Sequence, residues 1–214
     1  MLITLAKNKP TSMDTPIASL PGYRIHEYRL VVPLSESLQE RIGSLRERLY
    51  ERHRVKAGPE APPALTLLHC HAFEKTEGRL LERLQQVAMG CTPFKVELQN
   101  FAAYPSHTIY IHVPTRAPFQ EIVKELKKLK WLMNIQDHEP HFIPEPQLVL
   151  AQRLKPMPFI GMWMECEHTE FSGRFMADHL LLQRRTAERG RWEELRRFDL
   201  QQLALGVKQG ELFG

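Results

Sequence analysis

The stretch Pro63-Ala64-Leu65-Thr66-Leu67-Leu68 lies inside APPALTLLHCHAF, residues 61–73. Two prolines precede an apolar run with one threonine at its entrance, so residues 64–73 read as a strand that starts after Pro63. A strand turns residues i and i+2 to the same face, so Ala64 and Thr66 project together. The same grammar returns in PQLVLAQRL, residues 146–154. Each copy runs proline, a small or polar residue, leucine, a β-branched residue, leucine. Gln147 stands where Ala64 stands, and Val149 where Thr66 stands. A strand after a proline, once in each half of the chain, predicts two related lobes that meet at a shared cleft.

Outward from these two stretches, strand and helix patterns alternate. Residues 1–22 hold Pro10, Pro16, Pro21 and Gly22 with little periodicity and read as an irregular lead-in, with 23–214 as one bilobal domain. YRIHEYRLVVPL (23–34) reads as a strand. Leu38, Ile42, Leu45 and Leu49 repeat at helical spacing after Ser35 and Ser37, either of which offers an N-cap oxygen. KAGPEAPP is a loop. EGRLLERLQQVAMG (77–90) is a helix with Leu80, Leu81, Leu84 and Val87 on one face and Gly90 as its stop. FKVELQNF (94–101) and HTIYIHVP (107–114) read as a hairpin around Pro105 and Ser106, and residues 119–133 as an amphipathic helix. GMWMECEH, RFMADHLLLQRR and RWEELRRFDL read as three closing strands. The class that follows is α+β, with a largely antiparallel sheet in each lobe.

Composition narrows the function classes. The chain has 214 residues, 43% hydrophobic and 25% charged, enough for a sizeable core. Twenty-nine Lys and Arg against 25 Asp and Glu leave a net charge of +4, a mild excess that permits an anionic ligand without requiring one. Cys70, Cys91 and Cys166 are odd in number and lack CxxC spacing, so they read as reduced thiols and point to the cytoplasm. No apolar run approaches the roughly 20 residues of a membrane span, and the apolar start before Lys7 is too short for a secretion signal. There is no GxGxxG, phosphate loop, GxSxG or zinc spacing, and no metal or cofactor is expected.

At the two proline-led strands the chain resembles the two-histidine (2H) phosphoesterases, the superfamily of bacterial 2′-5′ RNA ligase-like proteins and cyclic phosphodiesterases. Their signature is His-x-Thr/Ser on a strand, usually after proline, once in each lobe. AMGCTPFKVELQNFAAYPSHTIYIHV and PHFIPEPQLVLAQRLKP extend the likeness, which spans roughly residues 24–200. The resemblance implies a bilobal, pseudo-twofold α+β fold with the site in the central cleft. It also implies chemistry on a 2′,3′-cyclic phosphate or 2′-5′ phosphodiester. One imidazole would take a proton from the attacking oxygen, the other would give one to the leaving oxygen, and the two hydroxyls would bond the phosphoryl oxygens.

The chain departs from that signature at its decisive positions. Ala64 and Gln147 stand in the two histidine places and Val149 in one hydroxyl place; only Thr66 is retained. Alanine has no proton to move, glutamine bonds but does not titrate, and valine offers no donor. General acid–base help is worth roughly 10²–10⁴-fold per group, so family chemistry at these positions is expected to be lost or much weakened. What the resemblance leaves is a cleft that holds a nucleotide or RNA phosphate through Thr66, Gln147, Arg153 and His141; no DNA partner is expected. Arg153 shares strand parity with Gln147 and Val149, and His141 lies shortly before them. On a regular strand His69 and His71 take the face opposite Thr66 and would need a bulge to reach the cleft, so they read as polar residues at a strand end. Arg174, Arg184, Arg185, Arg196 and Arg197 read as solvated strand edges or as phosphate contacts. Phe101, Tyr104 and Tyr110 read as hairpin packing or as a base-stacking surface. An active enzyme using relocated residues such as His141, and a scaffold with no nucleotide ligand, are the two other readings.

Overall fold

A computed structural model describes residues 22–55, 62–105, 107–186 and 190–201. Fifteen elements follow in order, of which two are short 3-10 turns. Strands β1 (Ile25–Pro33), β2 (Ala64–Phe73), β5 (His141–Phe142), β8 (His179–Arg185) and β9 (Glu193–Asp199) form one sheet in the order β5-β2-β1-β8-β9. Strands β3 (Phe94–Tyr104), β4 (Thr108–His112), β6 (Leu148–Ala151) and β7 (Ser172–Ala177) form the other, in the order β6-β4-β3-β7. Every pairing is antiparallel. The α+β class and the two-sheet architecture expected from the sequence are therefore found.

The helices cross between the sheets. Helix α1 (Glu36–Arg52) follows a strand of the five-stranded sheet yet packs on β6 of the other. Leu38 of α1 comes so close to β7 that a Cβ on Gly173 would sit 3.0 Å from its Cδ2, so any larger residue there would push the Leu38 side chain aside. Helix α3 (Ala117–Lys127) follows a strand of the four-stranded sheet and packs on β2 and β5 of the first. Helix α2 (Glu77–Met89) packs on β9, and α4 (Pro156–Cys166) on β4. One continuous core results, from Tyr28, Leu30 and Leu68 through Val96, Ile111 and Leu150 to Phe198. Each sheet turns an apolar face into this core and a more polar face away from it.

Two expectations need correction. GMWMECEH is not a strand but the end of helix α4. Pro156 and Pro158 occupy its first turn, where a missing N–H costs nothing, and Phe159, Met162 and Cys166 are buried at helical spacing. RFMADHLLLQRR is two strands rather than one. The chain leaves the four-stranded sheet at Ala177 and enters the five-stranded sheet at His179, with Asp178 as the crossing residue. Ser35 is the N-cap of α1 but makes no side-chain capping bond. The lead-in at 1–21, most of the loop at 56–61, Ser106 and the last residues from 202 lie outside the described residues. All three cysteines are free thiols, and burial pushes Cys70 up to about 12 and Cys91 and Cys166 up to about 11. Among the described residues no helix is long and apolar enough to cross a membrane.

Candidate functional site

Strand β2 is not regular. Leu68 lies opposite Leu30 of β1, and Thr66 lies opposite Val31, so Leu67 is an extra residue. A bulge of this kind inverts the alternation beyond it. Leu65 and Leu67 are buried before it, and Leu68, Cys70 and Ala72 after it. His69 and His71 are thereby carried to the same face as Ala64 and Thr66. The expectation of opposite faces is overturned, because it assumed an unbroken period of two.

The register builds that face in rows. Val31 of β1 and Leu181 of β8 continue the row of Thr66. In the next row His141 of β5 lies beside His69, then Arg29 of β1 and Gln183 of β8. Beyond it stand His71, Glu27 and Arg185. Opposite side chains in an antiparallel pair lie roughly 4.5–5.5 Å apart at Cβ, so each row is a contact row.

The charges in these rows are partly matched. Glu27 accepts from Arg185 Nε at 2.7 Å, and its other oxygen lies 2.5 Å from His69 Nε2. Burial by itself would raise the Glu27 carboxyl, but the bonds and charges of Arg185 and His69 outweigh it and hold the group below its ordinary value. Arg29 donates Nε to Gln183 Oε1 at 2.6 Å. The Trp192 ring centroid lies 4.3 Å from the Arg29 guanidinium carbon and 4.7 Å from that of Arg185. Desolvation, with Arg185 adding to it, brings Arg29 down to about 10, so it stays protonated at neutral pH. His71 rests against His138, with ring centroids 4.2 Å apart and planes tilted by 35°. Burial first and the His138 ring second depress the His71 imidazole. Among the described residues no hydrogen bond holds the Thr66 hydroxyl, and no cluster of His, Cys, Asp and Glu has the makings of a metal site.

The second motif stretch sits at the edge of the four-stranded sheet. Val149 pairs with Tyr110 of β4, and its carbonyl accepts a hydrogen bond from Arg46 of α1. Arg46 is buried, and desolvation lowers its guanidinium from the ordinary value. Gln147, just ahead of β6, donates Nε2 to the Tyr104 hydroxyl at 2.7 Å. The Tyr104 and Tyr110 rings lie 5.1 Å apart. Phe101 instead packs on Phe171, on the other face of the hairpin. Strand β6 ends at Ala151, and Arg153 has φ of +55°, so the parity that linked Arg153 to Gln147 does not extend to it. Arg184 pairs with Glu77, Arg185 with Glu27 and Arg197 with Asp199, so these three read as structural ion pairs. A groove of about 900 Å³ lies between α2 and α3, lined by Val87, Phe94, Ile122 and Trp131; no motif position lines it.

Ala64, Thr66, Gln147 and Val149 are legible on or beside strands from the sequence, and Arg185 as a candidate phosphate contact, but Glu27 and Arg29 in the two adjoining rows are not. The signal was present as HEYR in the first strand, whose alternating charges face one way. The partners on β8 were invisible until the sheet order was known.

Comparison with known proteins gives a consistent outcome. The family model described as the 2′-5′ RNA ligase superfamily matches residues 34–189. Among solved structures, Escherichia coli LigT complexed with 3′-AMP is similar at a TM-score of 0.59 and 15% identity, over 82% of this chain and 98% of that one. TT0787 of Thermus thermophilus follows at a TM-score of 0.55 and 13% identity, over 82% and 98%. E. coli LigT complexed with NADP+ has a TM-score of 0.50 and 16% identity, over 83% and 99%. No curated protein sequence matches the chain.

Proposed function

Because the chain belongs to the 2′-5′ RNA ligase superfamily, we propose that it is a nucleotide- or RNA-phosphate-binding member in which the family's phosphodiester chemistry is lost or much weakened. The observation that carries this reading is the state of the motif positions. Ala64 and Gln147 replace both imidazoles and Val149 one hydroxyl, while Thr66 keeps, on the polar face of its sheet, a hydroxyl that no described residue engages. Without a titrating group at either place, no proton moves there in the transition state. Binding survives such losses more easily than catalysis, since hydrogen-bond donors and a cation suffice to hold a phosphate. In this reading Thr66 offers a hydroxyl, Gln147 an amide and His141 a ring nitrogen, while Arg153, which strand parity does not tie to Gln147, offers a charge just beyond the end of β6. The nucleotide ligands of the E. coli LigT structures support a nucleotide as the ligand class. Three free thiols fit a bacterial cytoplasm, and on this reading residues 23–214 form one bilobal unit.

Calorimetric titration with 3′-AMP tests the reading. Weak, salt-sensitive binding is expected, reduced by Thr66→Val and more strongly by Arg153→Ala, because an arginine–phosphate bond is charge-assisted. A folded protein that binds no nucleotide would favour a scaffold.

A second reading has one observation in its favour. The bulge at Leu67 brings His69 and His71 to the Thr66 face, where His141 also pairs into the sheet. These rings are candidates for a relocated acid–base pair, and a hydrolysis assay separates the two readings.

A further inference from the structure

We propose that the polar face of β1 and β2 carries an oxyanion site of its own, built on Arg29, His71 and His138, that holds a nucleotide phosphate and takes up a proton as it does so. Its ligand class rests on the reading above, but its residues do not, since none of the three belongs to a motif position.

Charge accounting on the face comes first. Glu27 is engaged by Arg185 and His69 and so neutralises Arg185. Among the described residues no carboxylate lies within ion-pair distance of Arg29; Glu27, two residues away on the same face, favours its charge only at longer range. Its Nε is used by Gln183, and Trp192 covers the flat of the guanidinium. Stacking of that kind leaves the in-plane outer nitrogens as donors, which is the geometry that grips phosphate oxygens. A desolvated cation with spare donors, and with Glu27 acting on it only from beyond ion-pair distance, is what an anionic ligand completes.

Geometry then brings in the imidazoles. Arg29 lies opposite His69, and His71 is two residues further along β2, so Arg29 and His71 are diagonal neighbours. Such neighbours are roughly 7–8 Å apart, a span that two long side chains close around one phosphate. His138 backs His71 from the segment after the second 3-10 turn.

The groups facing His71 set the proton behaviour. His69 on β2, His138, and Arg185 on β8 disfavour its cation, as does burial, while Glu27 on β1 favours it. His141 on β5 lies beyond His69. His71 is therefore neutral in the free protein at neutral pH. A bound dianion adds counter-charge to that of Glu27, which Arg185 and His69 already share, and the ring then gains a proton and becomes a second donor.

The test is titration calorimetry of the whole chain with inorganic sulfate, whose charge is constant over this pH range, and with 3′-AMP, in two buffers of different ionisation enthalpy. Proton uptake is expected for both ligands. Sulfate affinity is expected to fall by up to tenfold per pH unit above the His71 pKa, the limit for one coupled proton. Arg29→Gln is expected to weaken binding by roughly tenfold or more. His71→Gln and His138→Gln should each abolish or reduce proton uptake, with Arg29→Lys restoring part of the affinity. Thermal melts report whether each variant is folded, and His138→Gln, at an exposed position, keeps the test open if the others are not. If Thr66→Val and Gln147→Ala abolish binding while Arg29→Gln and His71→Gln do not, this inference falls and the motif-based reading stands. If only the Arg29 and His71 variants lose binding, the motif-based assignment falls instead. Binding without proton uptake, or 3′-AMP binding no tighter than sulfate, overturns the proton-coupled site or its nucleotide ligand respectively. Absence of binding by both ligands overturns both proposals.

Discussion

Gln147 donates its amide to the Tyr104 hydroxyl at 2.7 Å, and Tyr104 in turn packs against Tyr110, the cross-strand partner of Val149. The second motif place is therefore filled by a bond internal to the protein, in a position where the family would hold a proton-transferring ring. Tyr104→Phe frees the amide without emptying the space. Because the pair is largely exposed, the cost to stability is expected to be about 1 kcal/mol or less in urea melts. In exchange, nucleotide binding through Gln147 should tighten. A loss of binding in Tyr104→Phe would mean that the hydroxyl, not the amide, contacts the ligand.

Rebuilding the signature follows from the same geometry. Ala64→His, Gln147→His and Val149→Thr together put two imidazoles and a second hydroxyl at the motif positions, with Thr66 kept. Hydrolysis of a 2′,3′-cyclic nucleotide is expected to appear, since each positioned acid or base contributes roughly 10²–10⁴-fold. The triple variant should gain far more than the sum of its single members, because acid and base act as a unit. A folded triple variant without activity, set beside a wild type that binds no nucleotide, would show that the fold serves another purpose.

Glu27 gives the face a pH signature in stability. Its folded-state carboxyl is held below the ordinary value by Arg185 and His69 against the opposing effect of burial. Its contribution is therefore present above the unfolded carboxylate pKa, about 4.3, and is lost as pH falls through the lower folded value. Glu27→Gln is expected to destabilise by about 3 kcal/mol at neutral pH, because it leaves Arg185 without its charge partner at a largely buried site. The difference from wild type should shrink steadily below about pH 4. Chemical denaturation at several pH values measures it, and a gap independent of pH would remove the ion pair from the account.

Helix α4 can be checked by adding one methyl group. A Cβ on Gly161 would sit 2.7 Å from Nδ1 of His53, whose ring is in turn held by Glu165 at 3.2 Å. Gly161→Ala raises helix propensity, yet overpacking is expected to dominate, with a net loss of about 1–2 kcal/mol seen as a lower Tm. A rise in Tm would show that the His53 ring swings away at little cost.

Much of the fold was legible because its signals are local. Strand β2 was bounded at 64–73 by its prolines and by the Phe73 end of the apolar run, and α2 by Gly90. Helix α4 was missed because its apolar residues cover most of its circumference, which hides the 3.6-residue period, although two prolines near its start marked a first turn. The crossing at Asp178 was missed because neighbouring strands of two sheets read as one alternating run. Thr66, Gln147 and Val149 were legible as a repeated pattern in a familiar frame. The placement of His69 and His71 was not, since a bulge is set by the partner strand: Leu67 is extra only against the Leu30–Val31 step of β1. The Arg29 row needed the sheet order as well, because β8 lies far away in sequence.

The central claim is that the family's frame persists here without its acid–base groups. The most direct test is a hydrolysis assay of the wild-type protein on 2′,3′-cyclic nucleotides and 2′-5′ linked oligonucleotides, run beside a relative that keeps both histidines. The account predicts no appreciable turnover. Turnover comparable to that relative, abolished by His71→Gln or His141→Gln, would contradict it and show that imidazoles on the Thr66 face have taken over the chemistry.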